Sequence, residues 1–219
     1  MCGINGIIAL QPIESMPRLI KNMNQQLSRR GPDDDSIWIN TESTMGMGMR
    51  RLAIVDADFA KQPWHEKDFC LCFNGEIYNY QALRQTLMDL GYQFSTKSDT
   101  EVLAKAYLHW GTSCFEYLEG MFAIAIIDFK LNKLFLARDI NGEKPLYYGW
   151  QQGCFLFGSQ LNALRAHPAV WTRRYANCCP PPAPCCALTT WMPIHTARRW
   201  TSRAIALLAT PDATAGPRM

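Results

Sequence analysis

The sequence predicts an α+β fold: two packed antiparallel sheets covered by helices. Three observations predict it. Many short apolar segments are joined by hairpin-length links, which favours antiparallel pairing. Only two or three segments have helical spacing, too few to cross over between parallel strand pairs. The composition, 48% hydrophobic and 19% charged, supplies the core of an ordinary globular unit. At 219 residues, one domain with an appendage is the simplest organisation.

The elements follow in order. Residues 4–10 are short and apolar, a strand. Met16, Leu19, Ile20, Met23 and Leu27 recur at helical spacing, so residues 14–28 form a helix with one buried face, ending before Gly31-Pro32. Met45, Met47 and Met49 alternate with glycine in a strand region leading into Leu52-Ala53-Ile54-Val55, and the glycines allow close backbone approach. Residues 69–73 form a strand ending in Asn74-Gly75. Tyr80, Leu83, Leu87 and Leu90 mark a helix stopped by Gly91. Ser98 and Glu101 have the spacing of a capping box and open a helix that Gly111 ends. Residues 121–127 form a buried strand that turns at Leu131-Asn132-Lys133 into 134–137. Two more strands follow at 145–149 and 154–157.

Charge divides the chain. Residues 171–219 carry six arginines, no lysine and one acid, Asp212, so the overall charge of +3 conceals a basic tail on a nearly neutral body. That body offers no electrostatic footprint for nucleic acid. No apolar run approaches the ~20 residues of a membrane span, and residues 4–10 lack the basic flank of a signal peptide. A cytoplasmic protein is expected, with no membrane partner. The nine cysteines do not read as a disulfide framework: the count is odd, and four are adjacent pairs, Cys178-Cys179 and Cys185-Cys186, in the tail. The pairs do not have structural zinc spacing, and His65, His109, His167 and His195 are scattered singly. No metal site is expected.

Cys2 directly follows Met1. Removal of Met1 would leave a free α-amine, with a pKa of about 7.7–8.0, able to act as base for its own thiol. Attack of that thiolate on a carboxamide would make an oxyanion. Asn74 and the Gly75 N–H have the chemistry to donate two hydrogen bonds to it. Taken alone, Asn74-Gly75 is equally the sequence of a tight turn. Arg51 suits an α-carboxylate and Asp99 an α-ammonium. Alone, the first also reads as a surface cation and the second as a charge complementing a helix dipole.

Linked blocks resolve these alternatives. Met1-Cys2-Gly3-Ile4, Arg30-Gly31-Pro32-Asp33, Arg51-Leu52-Ala53-Ile54-Val55-Asp56, Phe73-Asn74-Gly75-Glu76-Ile77-Tyr78-Asn79-Tyr80, Ser98-Asp99-Thr100-Glu101, Gly120-Met121-Phe122-Ala123, Ala137-Arg138-Asp139, Gly142-Glu143-Lys144-Pro145-Leu146-Tyr147-Tyr148 and Phe157-Gly158-Ser159 occur in this order. Over residues 1–168 the chain resembles the class II amidotransferase domain of glutamine-hydrolysing asparagine synthetases. The resemblance implies a four-layer αββα sandwich of the N-terminal-nucleophile hydrolase type. It implies hydrolysis of glutamine to glutamate and ammonia through a γ-glutamyl thioester, without a cofactor. Cys2 would be nucleophile and, through its amine, base; Asn74 and Gly75 would form the oxyanion hole. Arg51 would hold the glutamine α-carboxylate, Glu76 and Asp99 would surround its α-ammonium, and Leu52, Ala53, Ile54 and Val55 would line the pocket through their backbone. Arg29, Ile140-Asn141 and Gln160 depart from the family pattern, all outside the catalytic positions.

The family's second domain, which activates aspartate with ATP and Mg, carries a Ser-Gly-Gly-x-Asp-Ser pyrophosphate loop that is absent from this sequence. The expectation is therefore a glutaminase half, with a synthetase domain or subunit as partner in trans. The alternatives are ammonia delivery to another acceptor in trans and a silent remnant acting as a binding module. Residues 169–219 hold seven of the thirteen prolines and no sustained period. They read as a disordered or out-of-frame tail, with a short apolar run at 204–209.

Overall fold

In chain order the elements are β1 (Gly3–Ala9), α1 (Met16–Gln25), β2 (Asp34–Ile39), β3 (Met45–Arg51), β4 (Trp64–His65), β5 (Phe69–Ile77), α2 (Tyr80–Asp89), α3 (Asp99–Trp110), β6 (Gly120–Asp128), β7 (Lys133–Asp139), β8 (Tyr147–Gln151), β9 (Cys154–Gly158), α4 (Leu161–Arg165), β10 (Ala176–Asn177), β11 (Arg198–Trp200) and β12 (Ala204–Ala209). The structure, a computed structural model, describes residues 1–52 and 61–168 and, beyond them, the backbone of β10, β11 and β12. Two antiparallel sheets result, in the orders β10-β8-β9-β1-β3-β2 and β11-β12-β7-β6-β5-β4.

Side-chain alternation then builds the layers. On β5, Phe69, Leu71 and Phe73 face α2 and α3, whereas Cys70 and Cys72 face the other sheet. On β6, Ile124 and Ile126 join the helices, and Ala123, Ala125 and Ile127 turn inward. The first sheet mirrors this arrangement. Ile4, Ile8, Met47 and Met49 enter the middle core, while Ile7 meets Met16, Ile20 and Met23 of α1. Three cores therefore separate four layers, helices–sheet–sheet–helices, as expected. Small inward residues on β5 and β6 let Phe155 and Phe157 of β9 pack between the sheets, both fully buried. Each such ring contributes roughly 1.5–3 kcal/mol by burial.

Local signals account for most boundaries. Helix α1 lies directly on the β3 backbone: a Cβ at Gly48 would run into the Asn24 side chain. Ser98 caps α3, its Oγ accepting from the Glu101 N–H at 3.2 Å. Glu101 does not complete the box. Its carboxylate takes the N–H groups of Ser95 and Thr96 instead, at 2.8 and 2.6 Å, fastening the approach to the helix. Gly91 and Gly111 follow α2 and α3 with φ of 92° and 57°, which favours glycine.

Three differences stand out. β2 was not foreseen, because Asp34 and Asp35 hide a strand that pairs fully with β3. The eighth strand begins at Tyr147, not at 145. β5 does not end at Asn74-Gly75 but runs to Ile77, with Gly75 opposite Phe122 on β6. The turn reading is thereby excluded: long cross-strand pairing overrides the local preference of the dipeptide.

The tail was expected to lie outside the fold. β12 pairs along β7 from Ala204↔Asp139 to Ala209↔Leu134, β11 pairs with β12, and β10 lies against β8. A strand edge has free N–H and C=O groups that any extended segment can satisfy. The rest of the tail, with Cys178, Cys179, Cys185 and Cys186, lies outside the described residues. Among the described residues, no helix is long and apolar enough to cross a membrane, and no cluster has the composition of a metal site.

Candidate active site

The residues singled out in the sequence meet at one end of the space between the sheets. Gly3 is opposite Arg50 in the β1–β3 ladder, which brings Cys2 beside Arg51 and Leu52. On β5, Asn74 continues the inward side of Cys70 and Cys72. Cys2, Arg51, Leu52, Asn74, Gly75, Glu76 and Asp99 all line one cleft, of about 150 Å³. Ala53, Ile54 and Val55 lie outside the described residues.

The Cys2 thiol is half-buried and bracketed by one residue. The Leu52 N–H donates to Sγ at 3.4 Å, and Sγ–H donates to the Leu52 carbonyl at 3.6 Å. The Arg30 Nε donates to the Cys2 carbonyl at 2.8 Å. Burial lowers the Arg30 pKa, and the Cys2 charge opposes that shift. Cys70, Cys72 and Cys114 are buried, and desolvation pushes their thiols far up. Cys2 is the one described thiol that is not buried.

Asn74 is 1% exposed, and its Nδ2 finds no hydrogen-bond partner among the described residues. A buried amide donor without an acceptor costs about 1–3 kcal/mol, so its retention at the cleft marks a place for an oxygen from outside the chain. The neighbouring strand restricts position 75 to glycine. A Cβ there would collide with the Met121 carbonyl and the Phe122 Cα of β6.

The free edge of β5 completes the geometry. The Phe122 N–H points away from β5, donating to Asp139 Oδ2 at 3.3 Å, so the opposite residue, Gly75, directs its N–H away from β6. Phe73 and Ile77 share that direction. Phe73 N–H donates to Gln62 Oε1 at 2.6 Å and Ile77 N–H to Asp99 Oδ2 at 3.2 Å. The Gly75 N–H, between them, faces the cleft that Gly75 lines.

Also lining the cleft, Arg51 is 6% exposed and Glu76 lies on the rim. Burial raises the Asp99 carboxyl to about 6; the N–H groups of Ile77 and Thr100 oppose that rise and the Glu76 charge adds to it. A cation beside Asp99 would relieve the shift. Gln62, Thr100, Met121 and the buried Lys144 also line the cleft, and residue spacing did not reveal them. Thr100, Met121 and Lys144 lay within recognised blocks, but nothing in their residue types marked them.

The comparisons with known proteins identify the family. The family model described as "Glutamine amidotransferase domain" matches residues 1–177. Asparagine synthetase [glutamine-hydrolyzing] 3 of Bacillus subtilis (strain 168) is 39% identical over 178 residues, covering 79% of this chain and 29% of the relative. Asparagine synthetase [glutamine-hydrolyzing] 1 of the same organism is 40% identical over 169 residues, covering 75% of this chain and 26% of the relative. The chain thus spans less than a third of the length of these curated relatives. Among solved structures, the glutamine phosphoribosylpyrophosphate amidotransferase from B. subtilis superposes with a TM-score of 0.65 at 22% identity, over 75% of this chain and 43% of that one, a likeness of fold. With a four-layer sandwich and a family match over residues 1–177, the chain belongs to the glutamine amidotransferase domain family.

Proposed function

We propose that this chain hydrolyses glutamine to glutamate and ammonia through a γ-glutamyl thioester on Cys2. The observation that carries the reading is the buried, unpartnered Asn74 amide facing the cleft that holds the Cys2 thiol. Met1 also lines that cleft, so its removal would both free the Cys2 α-amine and open space for substrate.

The amine takes the thiol proton, and the thiolate attacks the glutamine δ-carbon. Asn74 Nδ2 and the Gly75 N–H donate to the oxyanion. Collapse breaks the C–N bond, the ammonium returns its proton to the leaving nitrogen, and ammonia departs. Water then attacks the thioester, giving its proton to the same amine, and the second oxyanion expels the thiolate as glutamate forms. Arg51 holds the α-carboxylate; Asp99 and Glu76 hold the α-ammonium. Leu52 supports the sulfur, and Ala53, Ile54 and Val55 belong to the same proposed pocket wall.

Every step uses groups of this chain and water. ATP and Mg enter only through a synthetase domain, which we propose as the partner in trans that consumes the ammonia. The setting we propose is the cytoplasm, where the Cys2 thiol stays reduced. Steady-state glutaminase assays test the reading. The parent chain should release glutamate and ammonia, and Cys2→Ala should release neither; turnover by Cys2→Ala would overturn it.

A further inference from the structure

The unforeseen cleft residue with the most defined contacts is Gln62, buried at 6% exposure. Its Oε1 accepts the Phe73 N–H at 2.6 Å, and its Nε2 donates to Thr100 Oγ1 at 3.2 Å. The orientation of its amide is fixed, since an N–H of Phe73 must meet oxygen. The Gln62 carbonyl accepts from Ser36 Oγ on β2, so the residue ties the first sheet to β5 and to the start of α3.

These contacts close a ring. Phe73 N–H, the Gln62 amide, Thr100, its neighbour Asp99 and Ile77 N–H enclose the five-residue stretch whose middle is Gly75. The β4 ladder stops at Leu71, one residue short of this stretch, so among the described residues no strand covers the edge here. Side chains do so instead, at Phe73 and Ile77, on either side of the one N–H that faces the cleft. Thr100 also fixes the spacing between that N–H and the Asp99 carboxylate.

We propose that Gln62 is a positioning residue that holds the Gly75 N–H in its oxyanion-donating orientation and sets its distance from Asp99. The proposal rests on the glutaminase reading above. Gln62→Met keeps the volume and removes both hydrogen bonds. Gln62→Glu keeps an acceptor for Phe73 N–H and lets the Thr100 hydroxyl donate instead.

Two measurements test it. In glutaminase assays, Gln62→Met should lower kcat about 10-fold or more, with KM for glutamine within about threefold. Affinity for the γ-aldehyde analogue of glutamine, which forms a tetrahedral Cys2 adduct, should fall in parallel, and Gln62→Glu should recover most of kcat. A purely structural role would lower the melting temperature without this split. Amide hydrogen exchange at Phe73 reads the ring without turnover, and in Gln62→Met it should speed up about 10-fold or more. Unchanged exchange, or kcat and aldehyde affinity within twofold of the parent, would overturn the assignment. An inactive parent with the exchange change intact would sink the glutaminase reading while supporting the ring.

Discussion

The Asp99 carboxylate accepts the Ile77 backbone N–H at 3.2 Å, joining the first turn of α3 to the last residue of β5. This bond partly compensates a burial that still raises the carboxyl to about 6 from an ordinary 3.8. The folded chain therefore binds a proton more tightly than the unfolded one. Folding stability falls as pH rises from about 4 to about 6, and above that window the ionised carboxylate costs on the order of 3 kcal/mol. Asp99→Asn should unfold at a higher temperature than the parent at pH 7, with the difference vanishing below pH 4. In the parent, KM for glutamine should fall as pH rises through about 6; in Asp99→Asn it should be high and flat. Calorimetry and pH-dependent kinetics check the two halves, and a parent KM indifferent to pH over 5–7 would remove Asp99 from ammonium binding.

Asn74 should separate catalysis from stability. Its amide nitrogen has no acceptor among the described residues, so truncation forfeits no protein hydrogen bond there. Asn74→Ala should lower kcat by roughly 10²–10³, the loss typical of one oxyanion donor. Its unfolding free energy from urea titration should stay within about 1 kcal/mol of the parent's, the small cost of a void. A large loss of stability with kcat preserved would make Asn74 a structural residue.

Cys2 should be the first described thiol to react. The other four are buried, and each has its thiol pKa raised by desolvation. Limited alkylation followed by peptide mass spectrometry should find Cys2 modified well ahead of Cys70, Cys72, Cys114 and Cys154. The same spectra should show the active protein beginning at Cys2. Turnover by protein that retains Met1 would exclude the α-amine as the base.

We propose that residues 1–168 form the amidotransferase domain and that 169–219 are an appendage. Limited proteolysis should trim the chain to a stable core ending near residue 168 that keeps its glutaminase activity. Strand β12 along β7 offers the contrary outcome: protection of the full chain, or loss of activity on trimming, would show that the tail is part of the working unit.

The sequence alone determined the layers and pointed to Cys2 as the proposed nucleophile. Alternation on β1, β3, β5 and β6 and the helical spacing of Met16, Ile20 and Met23 sort residues by face, because period alone decides which side a side chain takes. Cys2, Arg51, Asn74, Gly75 and Asp99 were legible as a set through the order of their blocks. Their roles as a cleft depended on tertiary structure, since residues 2, 51, 74 and 99 meet only when β1, β3, β5 and α3 converge at one end of the two sheets. The tertiary structure also decided what Asn74-Gly75 is: a dipeptide with every local credential of a turn lies inside a strand because nine cross-strand pairs with β6 outweigh the preference of two residues. Gln62 stayed invisible for the same reason. Its function consists of bonds to Phe73 and Thr100, 11 and 38 residues away, and no composition or spacing encodes a side chain standing in for a missing strand.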